Sequence, residues 1–185
     1  MARSIVFAAD LGALIASTGS RDGIRWGAPA DRHALVGGGV SARWLDRVID
    51  NGLRFVVADE NGRVIGHDIY LTGDKVRQFR WLVVGLRPGH DVLSTNAFVV
   101  PERRGQGLLG DMQRFAARTF VEEGYRRMIS VVGGRNAAAI RAQAHLGAIP
   151  LLALTRVRIG RLIVVWRGGL IRHVGWDGQP FALTI

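Results

Sequence analysis

The stretch from Val92 to Glu123 constrains the fold more than any other part of the chain. An extended run, Val92 to Val100, is ended by Pro101, and Glu102-Arg103-Arg104 leads into Gly105, Gly107 and Gly110. From Gly107 to Glu123 the apolar residues Leu108, Met112, Phe115 and Ala116 recur at helical spacing, with Arg114 and Arg118 outside and Gly124 as the stop. A strand joined to a helix through glycines lets the backbone turn tightly. Successive amides at the helix start can then point into one space, where the helix dipole also favours an anion. A pyrophosphate fits such a loop.

By spacing alone, glycines 105, 107 and 110 also satisfy the dinucleotide fingerprint G-x-G-x-x-G. The context argues against it. In that fold the first glycine follows its strand almost directly and an acid ends the next strand about 20 residues on. Here Pro101 to Arg104 intervene, the next extended run ends in Gly133-Gly134-Arg135, and too little chain remains for a doubly wound sheet.

The rest of the chain supplies a mixed α/β order. Ser41 caps a helix whose Trp44, Leu45, Val48 and Ile49 share a face and which Gly52 stops. Leu53 to Asp59 and Arg63 to Leu71 flank Glu60-Asn61-Gly62 and read as a hairpin. Val76 to Leu86 is extended, Arg127 to Val132 is a buried strand, Asn136 to Leu146 a helix, and Leu151 to Ile159 and Arg161 to Trp166 two closing strands before an irregular tail. Residues 1–40 offer an apolar run from Ser4 to Ala9, a short helix after Asp10 and a glycine-rich loop. With 185 residues, 48% of them hydrophobic, and no repeat or linker, the expectation is one domain over 1–185 with its motif-bearing core at about 40–166. No run approaches the roughly 20 apolar residues of a membrane helix. The first residues do not read as a signal peptide. The absence of cysteine excludes thiol nucleophiles and disulfides and makes cytoplasm the neutral expectation.

Arg104-Gly105-Gln106-Gly107-Leu108-Leu109 resembles the coenzyme A loop of the GNAT superfamily of acyl-CoA-dependent N-acyltransferases, written Arg/Gln-x-x-Gly-x-Gly/Ala, with Leu109 in place of the last small residue. A second block, Asn136-Ala137-Ala138-Ala139-Ile140 through Leu146-Gly147-Ala148, resembles the helix that follows in that family. The resemblance implies a central, mostly antiparallel sheet, splayed open and flanked by helices, with acetyl-CoA or another acyl-CoA as cosubstrate. It implies that the backbone of Ala97, Phe98 and Val99 binds the pantetheine arm, that the loop from Arg104 through Gly105, Gln106, Gly107, Leu108, Leu109 and Gly110 holds the pyrophosphate, and that Asn136 contacts the pantetheine region. It further implies an amine-bearing small molecule or peptide as acceptor.

Acyl transfer to an amine requires loss of an amine proton, stabilisation of an oxyanion and protonation of the leaving thiolate. Where many family members carry a tyrosine seven residues after the asparagine, this chain has Gln143, and where some carry a glutamate five residues before it, this chain has Val131. Gln143 can donate a hydrogen bond but supplies no proton cheaply. His67 is the first candidate base, since histidine titrates near neutrality. It neighbours Asp68, and only one of the two can face the cleft. Ser94 and Asn96 are expected to share a face of their strand, Glu102 lies beside the loop, and His145 is expected at the surface. The five histidines are scattered without ligand spacing, so no metal site is expected.

The missing acid and base keep a second reading open, a catalytically weak acyl-CoA-binding or sensor module. Only Lys75 is lysine among 25 basic residues, against 15 acids, a formal charge of +10. That field attracts phosphate-bearing or acidic partners, including an acyl-carrier protein. Arg156, Arg158, Arg161, Arg167 and Arg172 raise nucleic acid as a third reading, but no aromatic platform interleaves them, and their alternation with apolar residues reads as a solvated face over a core. A homodimer stays open.

Overall fold

Asn61 and Gly62 adopt left-handed backbone angles, φ 55° and 79°, and join strands Arg54–Glu60 and Arg63–Leu71 into the expected hairpin. The computed structural model describes residues 1–16, 21–49, 53–73, 75–79, 82–176 and 179–185. In chain order its elements are β1 (Ala2–Asp10), α1 (Leu11–Ala16), β2 (Ile24–Trp26), α2 (Arg32–Gly37), α3 (Ala42–Ile49), β3 (Arg54–Glu60), β4 (Arg63–Leu71), β5 (Lys75–Phe79) and β6 (Leu82–Gly85). There follow β7 (Asp91–Val99), α4 (Leu108–Glu122), β8 (Arg127–Gly133), α5 (Ala137–His145), β9 (Ile149–Ile159), β10 (Leu162–Arg167), β11 (Leu170–Trp176) and β12 (Phe181–Thr184). Ser41 caps α3 through its carbonyl, which accepts from the amides of Trp44 and Leu45, and the Gly52 stop lies outside the described residues.

Two readings of the sequence need correction. The extended stretch from Val76 to Leu86 is two antiparallel strands, β5 and β6. The irregular tail contains β11 and β12, whose strand signal is diluted by Gly168, Gly169, Gly175 and the polar residues between them.

The described residues gather into two compact units, each discontinuous in sequence. One comprises Met1–Asp10, Thr72–Leu93 and Arg127–Ile185, and the other Leu11–Leu71 and Ser94–Arg126. In the first unit the strand order is β11-β10-β9-β1-β8, antiparallel throughout. The N-terminal strand β1 sits between β8 and β9, pairing Ile5 with Val132 on one side and Ala153 on the other. Phe7, Ala9, Val132 and Ala148 form a buried cluster beneath Ala139 and Ile140 of α5. A smaller sheet, β12-β6-β5, pairs β12 parallel to β6. Asp91, fully buried, accepts two hydrogen bonds from Arg127 at 2.9 and 2.8 Å and one from the amide of Arg87 at 3.0 Å, which fixes the start of β7 to the start of β8. Burial alone would raise its pKa, but these donors hold the carboxyl below the usual carboxylate range.

In the second unit the order is β7-β4-β3-β2. Residues of β3 and β4 alternate between two layers, as the period of a strand requires. Phe55, Val57 and Ile69 pack with Leu35, Val40 and Leu45 of the α2 to α3 segment. On the opposite side α4 packs against β4, β3 and β2. Phe120 is fully buried with its ring 5.4 Å from Tyr70 and 5.9 Å from Trp26. Arg54 lies over the Trp26 ring at 4.3 Å and pairs with Glu123 at 2.6 Å, closing the C-terminal end of α4.

Because α4 is held by this aromatic cluster, Phe120→Ala should destabilise the protein by about 3–5 kcal/mol, the usual range for a buried phenylalanine. Urea unfolding of wild type and variant measures it, and a loss below about 1 kcal/mol would show that Phe120 is not the anchor.

Candidate functional site

The glycine loop of the second unit forms as the sequence requires. Gly105 and Gly107 have φ 75° and 79°, a conformation L side chains rarely adopt. A methyl added at either would meet nothing within 4 Å, so conformation rather than space demands glycine there. The loop's side chains hold it down. Arg103 pairs with Glu60 at 2.6 Å, Arg104 donates from Nε to the Val99 carbonyl at 3.0 Å, and Gln106 donates to the Glu102 carbonyl at 3.1 Å. The Glu102 side chain is exposed, as are Gly105, Gln106 and Gly107, while Leu108 and Gly110 are buried and Leu109 is half-buried.

The amides behave differently from the side chains. Arg103 and Arg104 donate to Val100 and Pro101, and the first helical bond is Asp111 N–H to the Gly107 carbonyl at 3.1 Å. Between them, six consecutive backbone amides, Gly105 to Gly110, have no acceptor among the described residues. Amides without acceptors at the N-terminus of a 15-residue helix are donors of the kind that favour an anion.

Strand β7 leads into this loop. It is buried from Asp91 to Thr95 and opens at Asn96 and Ala97, with Phe98 and Val99 half-buried. Asn96 has φ 51°, left-handed in mid-strand, where asparagine is among the few non-glycine residues tolerated. This kink breaks the alternation on which a common face for Ser94 and Asn96 depends. Ser94 is buried toward α4, whereas Asn96 is exposed. Composition gave no sign of the kink, since a single asparagine in an apolar run equally fits a plain strand.

His67 and Asp68 do lie on opposite faces of β4, and both are buried. Asp68 faces α4. Its oxygens accept from the Ser94 hydroxyl at 3.0 and 2.9 Å and from Gln113 Nε2 at 3.1 Å. Burial pushes its pKa up to about 7, with these donors opposing. His67 faces the turn after α2, with its ring 5.6 Å from Phe98 in a stacked arrangement. A Cβ on Gly38 would overlap the His67 ring, so only glycine closes that turn over it. Neither ring nitrogen has a hydrogen-bond partner among the described residues. Burial lowers the pKa of His67 to about 4, opposed by the nearby Asn96 backbone. The ring is therefore neutral near pH 7.

In the first unit, Asn136 caps α5, its side-chain oxygen accepting from the Ala139 amide at 3.1 Å. Gln143 on the same helix is buried, and His145 is exposed. Among the described residues no group of three or more His, Asp or Glu could hold a metal, and no helix is long and apolar enough to cross a membrane.

The two groups on β4 oppose one another in acid. Between about pH 4 and 7 folded Asp68 keeps a proton that the unfolded chain has lost, so stability falls as pH rises. Between about pH 4 and 6.5 unfolded His67 binds a proton that the folded ring refuses, so stability rises with pH. Urea unfolding across pH 4 to 7 should therefore show, relative to wild type, a steeper rise for Asp68→Asn and a steeper fall for His67→Gln. Parallel profiles for all three proteins would contradict this.

No family model matches the chain, and no curated protein sequence matches it significantly. Solved structures do. A functionally unknown conserved protein from Staphylococcus epidermidis is 14% identical with a TM-score of 0.61, over 82% of this chain and 59% of that one. A protein from Novosphingobium aromaticivorans assigned to the GNAT acetyltransferases is 18% identical with a TM-score of 0.58, over 82% and 61%. An aminoglycoside N-acetyltransferase solved with CoA is 19% identical with a TM-score of 0.57, over 75% of this chain and 97% of that one. The chain spans about three-fifths of the length of the first two. At these identities the likeness is one of architecture, a large, mostly antiparallel sheet flanked by helices: this chain has the GNAT fold.

Proposed function

We propose that the protein binds an acyl-CoA and transfers its acyl group to an amine. The observation that carries this reading is the run of six amides from Gly105 to Gly110 without acceptors among the described residues, N–H donors at a helix N-terminus that favour the acceptor oxygens of a diphosphate. The fold supports it, as does the CoA held by the aminoglycoside N-acetyltransferase. Beside the loop, the open end of β7 at Ala97, Phe98 and Val99 is offered to the amide-bearing pantetheine arm as an added strand would be. Arg104, tied to the Val99 carbonyl, sets the angle between that strand and the loop. Asn136 and Gln143 keep the roles the resemblance implies, a contact to pantetheine and a hydrogen bond to the leaving sulfur.

In the reaction the amine nitrogen bonds to the thioester carbonyl carbon, the carbon–sulfur bond breaks, and the proton released from nitrogen balances the proton taken up by the thiolate. His67 is neutral but does not reach the amine, because its ring is buried beneath Gly38 and both ring nitrogens are closed off from solvent. With a pKa near 4 it is too weak a base to hold the proton, which passes to water. Rate then comes mainly from positioning, worth up to about 7–11 kcal/mol in favourable cases. The second reading, an acyl-CoA-binding module without turnover, draws on the same facts: Val131 and Gln143 stand where the resemblance implies a base and an acid, and His67 is buried and weakly basic.

Calorimetric titration with acetyl-CoA and CoA should give saturable binding at one site, lost in Gly107→Trp and weakened about tenfold or more in Gly105→Ala, whose side chain strains the loop without filling it. Thiol release across a panel of amines then separates enzyme from binding module. Absence of binding at millimolar CoA to the folded protein would end both readings.

A further inference from the structure

In the first unit, one face of the large sheet is only partly covered. Over β1 and β8 it lies under α5, through Ile5, Phe7, Ala139 and Ile140. The face continues onto β9, because Arg3 pairs with Thr155 and Ile5 with Ala153, and then onto β10 and β11. There the registers align two rows across three strands, Ile159–Leu162–Trp176 and Val157–Val164–Val174. All six are apolar and none is buried, with Ile159 67% exposed and both Val174 and Trp176 59% exposed. Arg156 and Arg158, expected to form a solvated face, instead share the opposite face with Val165 and Ile163, which are buried. The alternation is inverted: here the apolar side faces solvent.

The surroundings of the patch indicate its occupant. From Ala148 to Trp176 the chain carries five arginines and no acid. Arg161 in the turn between β9 and β10, and Arg172, the bulged residue of β11, are exposed at its border. Three strands span ~14 Å, and along them the two rows together with the next same-face row, Thr155–Trp166–Ile171, extend it to ~20 Å. That is the footprint of one helix of ~14 residues, laid beside α5 in the same layer. A second copy would bring like charges together, and its share of surface would fall well below the ~800 Å² per partner of a standard interface. We propose that this face of β9, β10 and β11 docks an amphipathic helix of a partner protein, apolar toward Val164 and Val174 and acidic along its flanks. This inference stands apart from acyl transfer.

The test uses a synthetic ~14-residue helix with leucine on one face and glutamate on the other, the same peptide with lysine for glutamate, and phosphatidylserine vesicles. Tryptophan fluorescence should report saturable binding of the acidic peptide. Affinity should fall about tenfold or more in Val174→Lys, in Ile159→Lys, and in Arg161→Glu combined with Arg172→Glu, and the lysine peptide should bind at least tenfold more weakly. All these positions are exposed, so thermal unfolding should show the variants folded. The proposal is overturned if the acidic peptide does not bind, if it binds wild type and variants alike, or if both peptides bind equally. It is also overturned if sedimentation shows a dimer that Val174→Lys dissociates, or if vesicles alone bind through this face.

Discussion

The acyl-CoA reading of this protein depends on six backbone amides, between Arg104 and Asp111, that have no acceptor among the described residues. An amide hydrogen bond is cheap to make and costly to leave unmade, and these groups stay open because the chain around them is fixed elsewhere. Arg103, Arg104 and Gln106 tie the loop to Glu60, Val99 and Glu102 through their side chains, so the backbone donors are not consumed. The helix that follows cannot swing to satisfy them, because Phe120, Tyr70 and Trp26 lock its far end and Glu123 is held by Arg54. Packing at one end of about one and a half dozen angstroms of helix thus fixes the open amides at the other.

The same unit carries two buried polar side chains on consecutive residues of β4, and their environments push them in opposite directions. Burial makes Asp68 retain its proton toward neutrality against the donors around it, whereas burial beneath Gly38 and against Phe98 makes His67 lose its proton readily. Both are therefore neutral over part of the acidic range. Asp68, through Ser94 and Gln113, joins β4, β7 and α4 just before the left-handed turn at Asn96. A carboxyl in that place serves to hold the strand that leads to the loop.

The sequence disclosed the loop, the hairpin at Asn61-Gly62 and the helices that follow the loop, because glycine spacing, turn chemistry and helical periodicity are local signals. It did not disclose what depends on distant partners. The N-terminal strand between β8 and β9 looked like any short apolar run. The split of Val76 to Leu86 falls where no turn residue marks it. Asn96 kinks β7 without a compositional cue. The arginine alternation of β9 and β10 was legible as alternation, but which face would be covered depends on packing from distant parts of the chain, and no local pattern encodes that. At the site, Gly105, Gly107 and Gly110 could be read directly, whereas the burial of His67 required the turn at Gly38, some thirty residues away.

The most direct test of the account is to record backbone amide resonances of the isotopically labelled protein while adding CoA, and separately adenosine 3′,5′-bisphosphate, which lacks the pantetheine arm. The account predicts that Gly105 to Gly110 shift most with CoA, moving downfield as their hydrogens gain acceptors, and that Ala97 to Val99 respond to CoA but not to the bisphosphate. Unchanged resonances from Gly105 to Gly110 at saturating CoA, or shifts confined to other parts of the chain, would contradict it.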